Sequence, residues 1–190
     1  VLHFPDWETL PYDLFAPHPE IVSQRIAALY RLPTLVRGVL VVPIATLMQR
    51  LAPRSYIAGS GLALARGQHL DVGAEQRRLE AAGYRHVPQV QEPGDFAVRG
   101  AILDIFPMGA AEPYRIELFD EEVESIRSFD PETQRSAHKV EEVRLLPARE
   151  FPLTEESGPV RISEALLAVI PLVDVHGRMW GVVTVQAMPF

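Results

Sequence analysis

The chain has 190 residues and a formal net charge of −7; 47% of its residues are hydrophobic and 23% are charged. This balance is typical of a folded globular protein and excludes a disordered polyelectrolyte. No apolar run approaches the roughly 20 residues that a membrane-spanning helix needs, and the first residues lack the basic start of a signal peptide. No cysteine is present, which excludes disulfides, thiol nucleophiles and cysteine-based metal sites, and we expect a cytoplasmic location.

Charge is distributed unevenly along the chain. Residues 1–57 carry five arginines and four acids, a net charge of +1, whereas residues 58–152 carry eleven basic and seventeen acidic residues, a net charge of −6. Residues 153–190 carry two basic and four acidic residues, a net charge of −2. A protein that binds nucleic acid directly usually has a strongly basic segment, and this sequence has none. The middle segment is therefore more typical of a protein-binding surface.

The first 57 residues are predicted to form part of a parallel α/β domain. Val1 to Phe4 has the pattern of a strand end, and apolar spacing with flanking prolines predicts a helix from Pro19 to Leu32. The continuous apolar run from Gly38 to Pro43 is typical of a buried parallel strand, and a short helix is expected from Thr46 to Leu51. This element order indicates a parallel α/β sheet. Because the first residue is a valine in an apolar segment, we expect a fragment of a longer protein.

Residues 58–152 are predicted to form a small α+β domain with an antiparallel sheet. A short strand at residues 62–64 precedes a helix from Asp71 to Ala82 that ends at Gly83. Three strand-like runs follow: Phe96–Phe106, Tyr114–Phe119 and Val123–Phe129. The polar residues between the last two runs predict a hairpin, and a final strand is expected at "VRLLP". Within "YRIELF", alternation places Arg115 and Glu117 on one face and the apolar residues on the other.

The chemistry of nucleotide, metal and nucleophile sites is missing from the sequence. A phosphate-binding loop needs a glycine-rich turn followed by lysine, and Lys139 is the chain's single lysine. The six histidines are scattered without metal-ligand spacing, and the acidic run from Asp120 to Glu124 reads as a solvated hairpin turn. We therefore expect no catalysis, no cofactor and no metal from this chain.

Three stretches carry a family resemblance: "FPDWETLPYDLFAPHPEIVSQRIAALYRLP", "GVLVVPIATLMQRLAP" and "FAVRGAILDIFPMG" with the hairpin that follows it. Through these, residues 1–152 closely resemble the amino-terminal part of bacterial transcription-repair coupling factor (Mfd). That part in turn resembles the repair protein UvrB, whose F-x-V-R-G-x-x-x-x-I-F-P strand is similar to Phe96–Pro107. The resemblance implies a partial UvrB-like α/β domain over residues 1–57 and a UvrA-binding α+β domain over residues 58–152.

The resemblance also implies a function. In this family the amino-terminal module has lost the ATP-binding motif and recruits UvrA to DNA at stalled RNA polymerase during nucleotide excision repair. The full-length family is an ATP-dependent DNA translocase, in which domains absent here bind RNA polymerase and double-stranded DNA. The expected function is thus a non-catalytic protein-interaction module whose partner is UvrA, with no membrane partner.

Three residues are carried over from the family as UvrA-binding positions: Arg99, Arg85 and Phe106. Arginine suits such a surface because its planar fork pairs with a partner carboxylate through two hydrogen bonds. UvrB-like sequences often have a second arginine where this chain has Ala97. The alternative is that Arg99 pairs inside the sheet with Glu117 or Asp104.

Residues 153–190 do not match the coupling factor. A polar linker, "LTEESGP", is followed by two strand-like runs, Ala165–Leu172 and Met179–Val185, around a predicted His-Gly turn. This pattern is similar to the strand–turn–strand of a GAF or CBS sensor domain. An alternative function is therefore a small-molecule sensor or regulatory protein with an incomplete GAF or CBS domain.

The missing phosphate-binding loop leads to a first prediction. The isolated 190-residue chain should neither bind nor hydrolyse ATP, because no glycine-rich turn followed by lysine is present to hold the phosphates. Isothermal titration calorimetry with Mg-ATP should give only heats of dilution, while a P-loop ATPase measured alongside gives a saturable isotherm. Saturable binding at micromolar affinity by this chain would contradict the prediction.

Overall fold

A computed structural model of the chain describes residues 1–9, 16–49, 51–59 and 61–151, together with two further strands at residues 168–173 and 179–185. The linker predicted after Pro152 and the predicted His-Gly turn lie outside the described residues. So does the middle of the loop before His18.

Among its described residues, the N-terminal segment has a two-stranded parallel sheet, three α-helices and a short 3-10 helix at Leu32–Thr34. Its elements are β1 (Leu2–His3), α1 (Pro19–Arg31), β2 (Leu40–Val41), α2 (Ile44–Leu47) and α3 (Arg54–Gly59). The parallel pairing of β1 with β2 confirms the predicted strand–helix–strand order. Helix α1 starts as predicted, because the Nδ1 atom of His18 accepts a hydrogen bond from the backbone N–H of Glu20 and a proline occupies the first helical position.

Two predictions for this segment are wrong in extent. The run from Gly38 to Pro43 is not a buried strand: only Leu40–Val41 pair, and Val39 and Val41 are 58% and 44% exposed. Within the described residues β2 has β1 as its one neighbour, and an apolar strand is buried only where both sheet faces are covered. Helix α2 ends at Leu47, before the predicted Leu51. Helix α3 begins directly after Pro53, whose carbonyl accepts hydrogen bonds from the N–H groups of Tyr56 and Ile57.

The larger part of the fold is a six-stranded sheet with strand order β4-β5-β6-β7-β8-β9. Its strands are β4 (Arg85–His86), β5 (Asp95–Arg99), β6 (Ile102–Ile105), β7 (Tyr114–Phe119), β8 (Glu122–Phe129) and β9 (Ser136–Val140). Strand β4 runs parallel to β5, and every other neighbouring pair is antiparallel. A separate antiparallel pair joins β3 (Leu62–Ala65) to β10 (Glu142–Leu145), and helix α4 (Val72–Ala81) lies between β3 and β4 in the chain.

The run from Phe96 to Phe106 forms two strands, whereas the sequence predicts one. The chain reverses at Gly100 and Ala101, and Arg99 pairs directly with Ile102. The φ angle of Gly100 is 60°, which is the positive value that a two-residue hairpin turn requires. Arg99 is therefore the last residue of β5, beside a tight turn, and does not lie in the middle of a strand.

The main core covers one face of the six-stranded sheet. Its least exposed side chains, each 1% exposed or less, are Phe96, Leu103, Ile105, Ile116, Val123 and Ile126. Ile26 of α1, Leu64 of β3 and Leu79 of α4 pack against them. Each such side chain contributes about 1.5–3 kcal/mol on burial. Helix α1, which lies before residue 58, contributes to this core. The proposed division at residues 57 and 58 stays a prediction.

A fully buried arginine, Arg25, joins α1 to the loop after β1 and to the residues that follow β10. The Nε and Nη2 atoms of Arg25 donate to the two carboxylate oxygens of Glu150 at 2.8 and 2.9 Å. Its Nη1 atom donates to the Pro5 carbonyl at 2.7 Å. The rings of Phe4 and Trp7 lie 4.2 and 5.0 Å from its Cζ atom. The N-terminal loop, helix α1 and the residues after β10 are thus held at one point.

The last two described strands, β11 (Ala168–Val173) and β12 (Met179–Val185), pair antiparallel with each other as predicted. None of the helices among the described residues is both long enough and apolar enough to cross a membrane.

Replacing Arg25 with methionine should lower the free energy of unfolding by about 3 kcal/mol, because the Glu150 carboxylate then stays buried without a counter-charge. Urea denaturation of the 190-residue chain, followed by circular dichroism, measures the change. The matched control is Arg66→Ala, which breaks an exposed ion pair with Glu141 and should cost less than about 0.5 kcal/mol. Equal losses in the two variants would contradict this account of Arg25.

Candidate partner-binding surface

The face of the six-stranded sheet turned away from the main core is called the outer face here. Directly paired residues share a face of a sheet, and two rows of pairs run across this one. One row consists of Ala97, Asp104, Arg115, Arg127 and Lys139, and the other of Arg99, Ile102, Glu117 and Ser125. The predicted placement of Arg115 and Glu117 opposite the apolar residues of β7 is confirmed.

The outer face has a charge opposite in sign to that of the segment that carries it. Its two rows hold four basic residues and two acidic ones, a net charge of +2, while residues 58–152 as a whole carry −6. Charge of one sign on one face steers association with a partner of the opposite sign. The outer face therefore fits an acidic partner surface.

The carboxylate of Asp104 lies at the centre of the outer face, with its side chain 1% exposed. The Nε atom of Arg115 donates to its Oδ1 at 2.7 Å and Nη2 donates to Oδ2 at 2.9 Å. The Nη2 atom of Arg99 also donates to Oδ2. The hydrogen bonds to Asp104 raise the pKa of Arg115 above its usual value. One buried carboxylate is thus shared by two guanidinium groups, leaving a net charge of +1 on the three side chains.

Arg99 reaches solvent from this cluster. Its side chain is 52% exposed, and its contact with Asp104 uses one of its five N–H donors. Of the two internal carboxylates that the sequence offered, the structure pairs it with Asp104. Glu117 instead accepts a hydrogen bond from Ser125 and lies 3.7 Å from Arg127. Arg99 is therefore both anchored inside the sheet and open to a partner.

Arg85 lies on the outer face near the start of β5. Its Nη2 atom donates to Glu92 at 2.9 Å and forms an ion pair with Asp95 at 2.8 Å. The hydrogen bond to Glu92 and the charge of Asp95 raise the pKa of Arg85, whose side chain is 53% exposed. Asp95 precedes Arg99 by four residues on one strand, a distance of about 13 Å at the usual rise per residue. Arg99 thus ends β5, and Arg85 of the neighbouring strand β4 lies beside the start of β5.

Phe106, the third predicted residue, is 7% exposed. It packs with Val90, Ala97 and Phe129 in a small second cluster on the outer face. Phe106 is thus part of an apolar cluster, and its predicted contact with a partner stays a prediction. The Cζ atom of Arg115 lies 4.9 Å from the Phe129 ring, which joins this cluster to the charged one.

Sequence reasoning named Asp104 only as an alternative partner for Arg99 and gave Arg115 no role. The alternation of side chains along each strand indicates that Asp104 and Arg115 share the outer face, once a turn is placed at Gly100. Among the residues that the structure describes, no group of three or more histidine and acidic side chains is placed to hold a metal ion.

Comparison with known families gives the relationships of the segment that carries this surface. Residues 62–151 match the UvrB interaction domain. All three predicted site residues and the Asp104 cluster lie inside the matched stretch. The predicted resemblance is confirmed: residues 62–151 are similar to the UvrB interaction domain.

Relatives among curated proteins include transcription-repair-coupling factors. That of Escherichia coli K12 is 53% identical over 152 residues, which cover 80% of this chain and 13% of the relative. The Haemophilus influenzae Rd protein is 52% identical over 82% of this chain and 13% of its own length, and the Myxococcus xanthus protein is 39% identical over 89% and 14%. The chain thus spans about an eighth of the length of these relatives. It is related to proteins of transcription-coupled DNA repair.

The two arginines on Asp104 should differ in their effect on stability. Arg115→Ala removes the two-point partner of a buried carboxylate and should cost about 3 kcal/mol. Arg99→Ala should cost less than about 1 kcal/mol, because Arg115 still pairs with Asp104. Urea denaturation of both variants measures the difference. A larger loss for Arg99→Ala would show that the exposed arginine is the main partner of Asp104.

Proposed function

We propose that this chain is the UvrA-recruiting module of a transcription-coupled nucleotide-excision-repair factor and is not catalytic. The observation that carries the proposal is the half-exposed guanidinium of Arg99, held on a buried carboxylate in the outer face of a UvrB interaction domain. The remaining N–H donors of Arg99 offer the two-pronged geometry that pairs with a carboxylate of a partner protein.

The charge distribution supports a protein partner with an acidic contact surface. The outer face carries +2 on a segment of −6, so a partner that presents acidic groups is attracted to this face and repelled by the rest of the segment. Arg85 of β4, paired with the start of β5, supplies a second cationic contact about 13 Å away along that strand. The proposed contact surface therefore extends along β5.

The proposal places this module in a longer protein. In such a factor, regions outside this chain bind RNA polymerase and double-stranded DNA and use ATP to move along it. This chain then acts after polymerase has stalled, by binding UvrA through the outer face. Neither a metal nor a cofactor takes part in the proposed binding step.

Arg99→Ala should weaken binding of purified UvrA by about 2 kcal/mol or more, as expected for a charge-paired arginine at the centre of an interface. Arg99→Lys should recover only part of this loss, because an ammonium group cannot reproduce the two-pronged contact. Biolayer interferometry with the immobilised 190-residue chain gives the dissociation constants, and thermal melting of the same samples shows whether each variant is folded.

The matched control is Arg66→Ala, which removes an exposed arginine that has its own ion pair with Glu141. It should bind UvrA as the unmodified chain does. Unchanged binding by a folded Arg99→Ala variant would remove Arg99 from the interface. Absence of UvrA binding by the unmodified chain would overturn the proposed function altogether.

A further inference from the structure

Asp104 is a buried acid on a face proposed to attract acids, and its position needs an explanation. Its side chain is 1% exposed, so it cannot itself reach a partner. A carboxylate removed from water is costly unless it is paired and hydrogen-bonded, and a small apolar residue at this place in β6 would avoid that cost. The contacts of Asp104 therefore indicate what it does.

Arg115 satisfies Asp104 without help from Arg99. Its Nε and Nη2 atoms reach both carboxylate oxygens, at 2.7 and 2.9 Å, and its side chain is only 17% exposed. The Phe129 ring and the carbonyl of Gln134, 3.4 Å from Nη1, hold Arg115 in place. The carboxylate is thus neutralised within the sheet, and the charge of Arg99 is left uncancelled.

Arg99 contacts Asp104 through Nη2, at the tip of a long flexible side chain. Ordering such a side chain at the moment of binding costs conformational entropy, and an anchor made beforehand removes that cost. Because Arg115 already satisfies the carboxylate, Arg99 can keep this single contact or release it without leaving a buried charge unpaired.

We infer that Asp104 is the positioning residue of this surface: it orders the Arg99 guanidinium in advance for a partner carboxylate. Because Arg115 neutralises the Asp104 carboxylate, Asp104 does not cancel the charge of Arg99. This inference rests on the proposed function for the identity of the partner. The ordering of Arg99 by Asp104 is a property of the free chain and is measured without a partner.

The first variant is Asp104→Asn, which keeps the shape of the side chain and removes its charge. Without the negative charge the remaining oxygen holds both arginines less strongly, and Arg99, which is more exposed and makes a single contact, is the one released. The second variant is Asp104→Leu combined with Arg115→Met. It replaces the buried pair by apolar residues of similar volume, a change that is often neutral for stability, and it removes the anchor of Arg99 in a folded protein.

Two measurements on the 190-residue chain test the inference. Nitrogen relaxation of the Arg99 Nε–H group, assigned by the loss of its signal in Arg99→Lys, reports the ordering of the side chain. The signal should be rigid in the unmodified chain and mobile in both variants. Purified UvrA should bind Asp104→Asn about fivefold more weakly, the cost of immobilising one long side chain. In an Arg99→Ala background, the same Asp104→Asn change should have no further effect on binding.

The outcomes separate the two proposals. If Arg99 is equally rigid with and without Asp104, the positioning role is wrong, whatever binds the surface. If Asp104→Asn weakens binding equally in both backgrounds, and the loss of binding follows the fall in melting temperature of the variant, Asp104 is only a structural residue. The inference is then also wrong. If the unmodified chain does not bind UvrA, the proposed function fails, and the relaxation measurement still decides whether Asp104 orders Arg99.

Discussion

Burying an ionised carboxylate in a sheet is costly unless hydrogen-bonded cations neutralise its charge. On the outer face that requirement falls on Asp104, and its two arginines meet it in different ways. Arg115, 17% exposed, binds both oxygens and is held by an aromatic ring, whereas Arg99, 52% exposed, makes a single contact and faces solvent. The difference in exposure divides the cluster into a buried ion pair and a guanidinium that faces solvent.

The same constraint shapes the other end of the molecule. Arg25 is fully buried, and its guanidinium donates to Glu150 and to the Pro5 carbonyl between two aromatic rings. In contrast to Arg99 on the outer face, the side chains of Arg25 and Glu150 are both buried. One ion-pair chemistry therefore serves two purposes, and the exposure of the arginine distinguishes them.

Burial also separates the three residues that the family resemblance proposed. Arg85, beside the start of β5, and Arg99, at its end, each have about half of the side chain in solvent, while Phe106 packs in an apolar cluster. The resemblance thus identifies one face, and the packing assigns its residues to different layers.

Local patterns were sufficient for several elements. Helices α1 and α4 have flanking prolines or an acidic cap at their starts, and the alternation in β7 indicated which side chains turn away from the core. These features depend on neighbours a few residues apart, so the linear sequence contains them. The missing phosphate-binding loop is likewise a local property. Short polar edge strands such as β4 and β9 carry no such pattern and were not predicted.

The placement of the site depended on contacts between distant parts of the chain. The turn at Gly100 divides one apolar run into two strands, and it brings Asp104 back beside Arg99, while Arg115 arrives from the next strand. Composition and spacing identify these as residues able to form ion pairs. Which acid pairs with which arginine, and which arginine stays exposed, follows from strand register and burial, because the strength of a charge interaction depends on distance and on exclusion of water.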